Sequence, residues 1–437
     1  NAETTSVGGV AGADWAAGVV AELSGMENVR LMTRTTVIGS FDHGVYGAVE
    51  RVSDHLATTP DGKPRQILWR ITSRRALLCA GSIERPIAFE NNDRPGIMLA
   101  GAMRSYANRW AATPAQKVAI FTNTDDGHRT AVDLMAKGVQ VAAVIDPREN
   151  APRLADCELL AGAQVIDTKG RLGLSFVEIR LADGGLRTIE CGALGVSGGW
   201  NPNVSLTCHQ RGRPEWRDDI AAFVPGADGP AGLTVAGAAG GEFSTAAALS
   251  TGSKQAAAAL RDLGMAARAQ PQPEAEDAPV EVSPFWHVGE GKGRAWLDQQ
   301  NDVTVKDVKL AHQENFRSVE HLKRYTTLGM ATDQGKTSNM AGLAIMAELA
   351  GQTIPQTGTT IFRPPYTPVP LGVLAGRSTG KDFRPVRKTP SHKWAEEQGA
   401  VFVEVGMWLR AQWYARGSEK GWRDSVDREV IATRGSV

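Results

Sequence analysis

The sequence predicts an α/β fold, and three features of its 437 residues carry that expectation. Over residues 1–268, apolar strand-like runs alternate with helix-like segments, the pattern of a parallel sheet covered by helices. Within this region KVAIFTNTDDGHRTAVDLMAKGVQVAAVIDPR, Lys117 to Arg148, reads as strand, turn, helix and strand, with Asp146 closing the second strand. That is the outline of a βαβ nucleotide unit, assigned to residues 116–148. From Ala266 the composition changes to AARAQPQPEAEDAPVE, rich in proline and acid and without an apolar stripe, which marks a linker before a different kind of domain.

Taken in order, Ala11 to Gly25 has the spacing of an amphipathic helix. VRLMTRTTVIGSF, Val29 to Phe41, reads as a buried strand followed by a second extended piece. ILWRI and RRALLCAG add two strands, the second ending at Gly81. The turn of the βαβ unit, Thr122 to Gly127, holds a single glycine, and Asp125 and Asp126 would repel a phosphate. It is therefore read as an ordinary turn of a Rossmann-like subdomain. Further on, VAGAAGGEFSTAAALSTG, Val235 to Gly252, runs from an apolar strand through a glycine-rich turn into a helix of small residues.

Residues 269–284 are the expected linker and 285–380 a small helical domain. Thr304 and Ser318 are N-cap candidates there, Gly329 is a stop, and a further helix spans Thr337 to Gly351. TTIFRPPYTPVPLGVLAG, Thr359 to Gly376, has four prolines and is expected to be extended. Residues 381–437 read as the opening of another domain.

Composition narrows the function. Lys plus Arg equals Asp plus Glu at 48 each, which removes the general electrostatic reason for a nucleic-acid or acidic-membrane partner. Cys79, Cys157, Cys191 and Cys208 show no CxxC spacing, so neither a disulfide framework nor a metal centre is expected. His312 and His321 lack a spacing that fixes two ligands on one helix face, and the Cys208–His209 neighbours point apart in extended chain. Trp394, Trp408, Trp413 and Tyr414 lack an accompanying basic stripe and are read as domain core or subunit interface. No apolar run is long enough to span a bilayer and no signal peptide is visible, so the cytoplasm is the expected compartment.

Arg74 to Tyr106, RRALLCAGSIERPIAFENNDRPGIMLAGAMRSY, resembles the strand and turn by which two-dinucleotide-binding flavoproteins return from their inserted nucleotide domain. The Val235–Gly252 stretch stands where such folds set a second helix N-terminus against the dinucleotide. MTRTTVIGSFDHG, VSGGWNPNVSL, QNDVTVKDVKLAHQENFRSVEHLKRYTTLGMATDQGKTSN and TPSHKWAEEQGAVFVEVGMWLRAQWY narrow the resemblance to the central part of alpha subunits of heterotetrameric sarcosine oxidases. The last of these stretches is similar to the start of the folate-binding aminomethyltransferase fold of the glycine-cleavage T-protein.

This resemblance implies NAD held on this chain, FAD and covalent FMN on a beta subunit, and tetrahydrofolate on a domain beyond Val437. It implies beta, gamma and delta partners and a reaction in which sarcosine, oxygen and tetrahydrofolate give glycine, 5,10-methylenetetrahydrofolate and hydrogen peroxide. Gly237, Gly240 and Gly241 let the backbone come close to a bound dinucleotide, and positions matching the family's NAD contacts are Val37, in the RTTV stretch, and Ala238, Phe243 and Thr245 in the glycine turn. The first βαβ contacts are expected upstream of Asn1. No catalytic residue and no metal ligand are assigned. An iron–sulfur cluster is excluded between Val280 and Val437, where there is no cysteine. Two alternatives stand beside this reading: an NAD(P)H-dependent flavin oxidoreductase, which needs two nucleotide turns, and a non-catalytic assembly module with a vestigial pocket.

Overall fold

The computed structural model describes residues 6–153, 156–268, 271–277, 280–289 and 293–436. Two compact units are present, Asn1–Pro368 and Val369–Val437. The division falls ahead of the expected 380/381 boundary, and the 268/269 position separates no compact units.

The first unit is organised by a five-stranded parallel sheet. Its strands are β1 (Ile97–Leu99), β2 (Lys117–Thr122), β3 (Gln140–Asp146), β4 (Leu159–Ala161) and β5 (Ala193–Ser197), in the spatial order β4-β3-β2-β5-β1. Strands β2 and β5 are buried on both faces, which is why they read as near-continuous apolar runs without alternation. Alternate residues serve two cores. Val118, Ile120 and Val144 pack with Met103 of α1 (Ala100–Trp110) and Leu134 of α2 (Asp125–Ala136). Ala119, Phe121 and Ile145 face the other way, against Val165, Val177 and Ile179 of an antiparallel meander formed by 164–169, 176–180 and 186–190. Asp146 closes β3, as the sequence predicts.

Around this fold lie a three-stranded antiparallel sheet (35–41, 45–51, 66–72) and a parallel pair, Ala76–Leu78 with β6 (Leu233–Val235). Of the expected Val29–Phe41 strand only Thr35–Phe41 forms, because Arg34 adopts a left-handed φ of 51° and turns the chain. β6 leads through the glycine turn into α3 (Thr245–Asp262), whose first turn is capped by Ser244 Oγ accepting from the Ala247 amide at 3.1 Å.

The helical block contains α4 (Val305–Gln313), α5 (Val319–Thr326) and α6 (Asn339–Ala350). Thr304 and Asp307 form a capping box on α4, and Ser318 caps α5. Helix α5 stops at Thr327, with φ 66°, rather than at Gly329. Met340 to Ala347 are all buried, so α6 is the centre of the block. The stretch expected to be extended from Thr359 to Gly376 contains a short helix, Leu371–Ala375.

Among its described residues, the expected linker is docked by strand bridges at two points. Ala275 bridges to Val7 and Val282 to Thr124, both antiparallel. Residues 269, 270, 278 and 279 of that stretch lie outside the described residues. In the second unit, Arg387–Lys388, Ala400–Val405 and Trp408–Tyr414 form a small sheet with helices His392–Glu397 and Trp422–Ser436. Trp394 stacks edge-on to Tyr414 yet stays 58% exposed.

Candidate functional site

A dinucleotide contact in a βαβ unit needs a turn that admits phosphate and an acid at the second strand's end free to hold a ribose. Here both are engaged internally. Asp125 and Asp126 sit in the first turn of α2, where the helix dipole favours acids. Asp125 pairs with Arg148 at 2.8 Å, and Asp126 with Arg104 at 3.3 Å and the Trp200 indole at 3.2 Å. Asp146 is fully buried. It meets His128 Nε2 at 2.8 Å, and it accepts from the Arg148 amide at 2.9 Å and from the Arg148 guanidinium at 2.8 to 3.2 Å. Burial alone would raise this carboxyl, but His128 and Arg148 outweigh it and hold it below the ordinary carboxylate range. The one glycine of the turn, Gly127, serves packing: a β-carbon there would fall 2.3 Å from Thr122 Oγ1.

The second glycine turn is built differently. Gly237 to Gly240 form a single 3₁₀ turn that ends on left-handed Gly241, φ 88°. Gly237 also has positive φ, 66°, and its amide donates to Thr251 Oγ1 on α3 at 3.1 Å. A β-carbon on Gly241 would press within about 3 Å of Val224, Arg217 and Ile220. Gly240 has an ordinary φ, and a β-carbon there would meet nothing closer than Val235 Cγ1 at 3.9 Å. Gly241 and Gly237 supply the positive φ values the turn needs, while a β-carbon at Gly240 would make only an ordinary contact with Val235. Ala238, Phe243 and Thr245 are half-buried along the same turn and helix start. Val37 is half-buried on a different sheet, paired with Ala48.

The start of α3 has internal partners as well. The Ala246 amide donates to Glu276 O at 3.1 Å, and Ser244 Oγ donates to Asp277 Oδ1 at 2.5 Å. An acidic stretch of the chain thus borders the turn.

Two buried charged groups escaped the sequence reading, although SIERPIAF does place a charged pair inside an apolar run. Glu84, 5% exposed, accepts from the Gly101 amide at the start of α1 at 2.8 Å. Burial pushes its carboxyl up to about 8. Arg85, fully buried, donates to Gly198 O, Asn201 Oδ1 and Ala221 O at 2.7 to 2.9 Å and lies over Trp286 at 4.7 Å. Burial pulls its guanidinium down to about 9. Because Glu84 holds its proton more tightly folded than unfolded, the native state loses stability as pH rises from the ordinary carboxylate range towards about 8. Glu84→Gln is expected to flatten that decline, raising Tm at pH 8 while leaving it nearly unchanged at pH 5. Parallel pH profiles of the two proteins check this.

A cleft open to solvent lies between Asn201, Asn203, Phe223, Lys336, Met340 and Phe362, among others. Lys336 Nζ donates to Tyr366 O at 2.5 Å and lies over that ring at 4.0 Å. His209 Nδ1 accepts from the Ser40 amide at 3.3 Å. Burial, with Lys336 adding to it, lowers His209 to about 4, so its imidazole is neutral at pH 7. Burial pushes the Cys208 thiol up to about 11, which removes the thiolate a Cys208–His209 pair would need. All four cysteines are free. Among the described residues no cluster of His, Cys, Asp and Glu is arranged to hold a metal, and no helix is long and apolar enough to cross a membrane.

Residues 292–377 match the sarcosine oxidase A3 domain. Across 99% of its length the chain is 44% identical to sarcosine oxidase subunit alpha of Rhizobium meliloti (strain 1021), covering 44% of that protein. It is 39% identical to sarcosine oxidase subunit alpha of Corynebacterium sp. (strain P-1) over 97% of the chain and 46% of that protein. The chain therefore spans under half the length of these curated relatives. Among solved structures it resembles L-proline dehydrogenase from P. horikoshii, with a TM-score of 0.62 at 22% identity over 82% of this chain and 68% of that one, which is a likeness of fold. Identity of this order along almost the whole chain, joined to the A3 match, makes the chain similar to part of sarcosine oxidase alpha subunits.

Proposed function

We propose that this chain is the nucleotide-holding part of a sarcosine oxidase alpha subunit, taking NAD against the turn from Gly237 to Thr245 and leaving amine oxidation to a beta subunit that carries FAD and covalent FMN. The observation that carries the reading is the contrast between the two turns. The turn after β6 is uncrowded at Gly240, where a β-carbon would make only an ordinary contact, whereas the turn after β2 has its acids and its glycine engaged internally. Positive-φ Gly237 and Gly241 shape a backbone cradle, which fits close approach of a dinucleotide. NAD bound there is chemically a hydride acceptor; the chain supplies backbone groups and the Thr245 helix start. Val37, on its separate strand, is the proposed wall for an adenine.

The remaining assignments follow the family. Residues 381–437 open an aminomethyltransferase-like domain that takes tetrahydrofolate, gamma and delta subunits complete the complex, and the compartment is the cytoplasm. The complex converts sarcosine, oxygen and tetrahydrofolate to glycine, 5,10-methylenetetrahydrofolate and hydrogen peroxide. The flavin-oxidoreductase alternative is disfavoured because it needs the β2 turn. An assembly module with a vestigial pocket is favoured by one observation, the engagement of Ala246 and Ser244 by Glu276 and Asp277.

The test is release of small molecules by acid from the full-length subunit purified with its partners, identified by mass spectrometry. NAD alongside both flavins is expected; flavins without NAD would support the assembly module. Gly240→Val then locates the site. Crowding the turn should lower NAD retention about tenfold or more, with Tm little changed because a β-carbon at Gly240 meets nothing closer than an ordinary contact.

A further inference from the structure

In open α/β sheets a ligand binds outside the carboxyl ends of the strands, in the crevice where neighbouring strands send their connections to opposite sides. In this fold the carboxyl ends of β2 and β5 lie side by side, in register at Thr122 and Ser197. The crevice is filled by the chain itself. The Asp125 amide donates to Glu281 O at 3.1 Å, and the Glu281 amide returns to Asp125 Oδ2 at 3.2 Å. The Ser283 amide donates to Asn123 O at 3.1 Å, Asn123 Nδ2 donates to Ser283 O, and Val282 forms an antiparallel bridge with Thr124.

Anchors continue the seal on the far side. Phe285 packs edge-on against Phe121 at 6.3 Å, Trp286 covers Arg85, and His287 bridges in parallel to Ala88. Beneath the strap, Asn123 and Thr124 are fully buried, and Asn123 Oδ1 and Thr124 Oγ1 have no hydrogen-bond partner. Buried polar atoms left in this way are uncommon, and they mark a polar crevice covered by an extended segment. They lie where the amides and hydroxyls of a nucleotide fold would meet their ligand.

We propose that Glu281–Ser283 is the resident occupant of the second nucleotide crevice, an in-cis strand that closes it to nucleotides and latches the following helical block onto this fold. The mode is strand addition, in which main-chain bonds hold the segment and flanking aromatic side chains fix its register. This inference stands apart from the NAD reading, since it concerns the other turn.

The experiment is hydrogen exchange on the full-length subunit in its complex, read on peptides covering 280–287 and 122–128, alone and with millimolar NAD, NADPH or ADP. Protection of both peptides without added nucleotide, unchanged by any of the three, is expected. Ser283→Pro removes the amide that bonds Asn123 O and is expected to raise exchange in both peptides roughly tenfold or more. Fast exchange of 280–287 in the unliganded protein, deprotection on nucleotide addition, or a well-folded Ser283→Pro with unchanged exchange would overturn the proposal. If Ser283→Pro does not fold, the wild-type comparison decides. Protected peptides with no nucleotide bound anywhere would support this proposal and reject the NAD reading; nucleotide bound with 280–287 deprotected would overturn it.

Discussion

Arg148→Leu is expected to be among the most damaging single changes in the parallel-sheet fold, lowering Tm by about 10 °C at pH 7. Arg148 is the main partner of Asp146, which is fully buried, and it also holds Asp125. Removing one member of a buried pair leaves the other charged in a low-dielectric site, a loss of about 3–5 kcal/mol. The sign with pH follows from the direction of the Asp146 shift. Its folded carboxyl lies below the ordinary value despite burial, because His128 and Arg148 hold the anion. In the native protein this stabilisation is complete above the unfolded carboxylate range and disappears as pH falls through the lower folded value. Without Arg148 the carboxyl takes up a proton at higher pH, so the deficit relative to wild type should shrink between pH 7 and pH 4. Urea melts at both pH values measure it; a deficit under about 1 kcal/mol that is equal at both would show that the ion cluster does not hold the strand ends.

The second large effect is expected at Gly127. A β-carbon there lies 2.3 Å from Thr122 Oγ1, 2.4 Å from its β-carbon and 2.6 Å from its Cγ2. Rotating Thr122 cannot relieve this, because its β-carbon is itself one of the three atoms. The first turn of α2 must then lift from β2, straining the bond from Thr122 Oγ1 to Thr124 O and the ion pairs above it. Gly127→Ala is expected to cost about 3 kcal/mol, at the upper end of overpacking effects. Gly138→Ala is the control: with φ 80° and no atom within 4 Å, it meets only backbone strain of about 1–2 kcal/mol. Combining Gly127→Ala with Thr122→Gly should cost less than the sum of the two single changes. Strict additivity would place the damage elsewhere.

These two sites show how far a sequence can be read. The βαβ unit, the acid closing its second strand, and the Thr304 and Ser318 caps were legible because each depends on residues a few positions apart: apolar periodicity, or an oxygen reaching an amide two or three residues on. The single glycine and the paired acids of Thr122–Gly127 were legible for the same reason, since side-chain charge and glycine count are local properties. The long identity with sarcosine oxidase alpha subunits was visible in whole motifs.

Tertiary structure alone decided the rest. Sequence could not show that Asp146 is consumed by Arg148 and His128, that Glu84 is buried as a proton-holding acid against Gly101, or that Gly240 is uncrowded where Gly241 is crowded by Arg217, Ile220 and Val224. Nor could a proline-rich, acidic connector announce that it would dock as strand on Asn123–Asp125, more than 150 residues earlier in the chain. Composition sets whether a segment can form a core of its own; whether it finds a partner depends on free backbone donors and acceptors that distant strands bring to one edge. Local pattern determined most of the elements and the likeness to known relatives, and the meeting of sequence-distant groups determined which turn has its polar groups engaged internally.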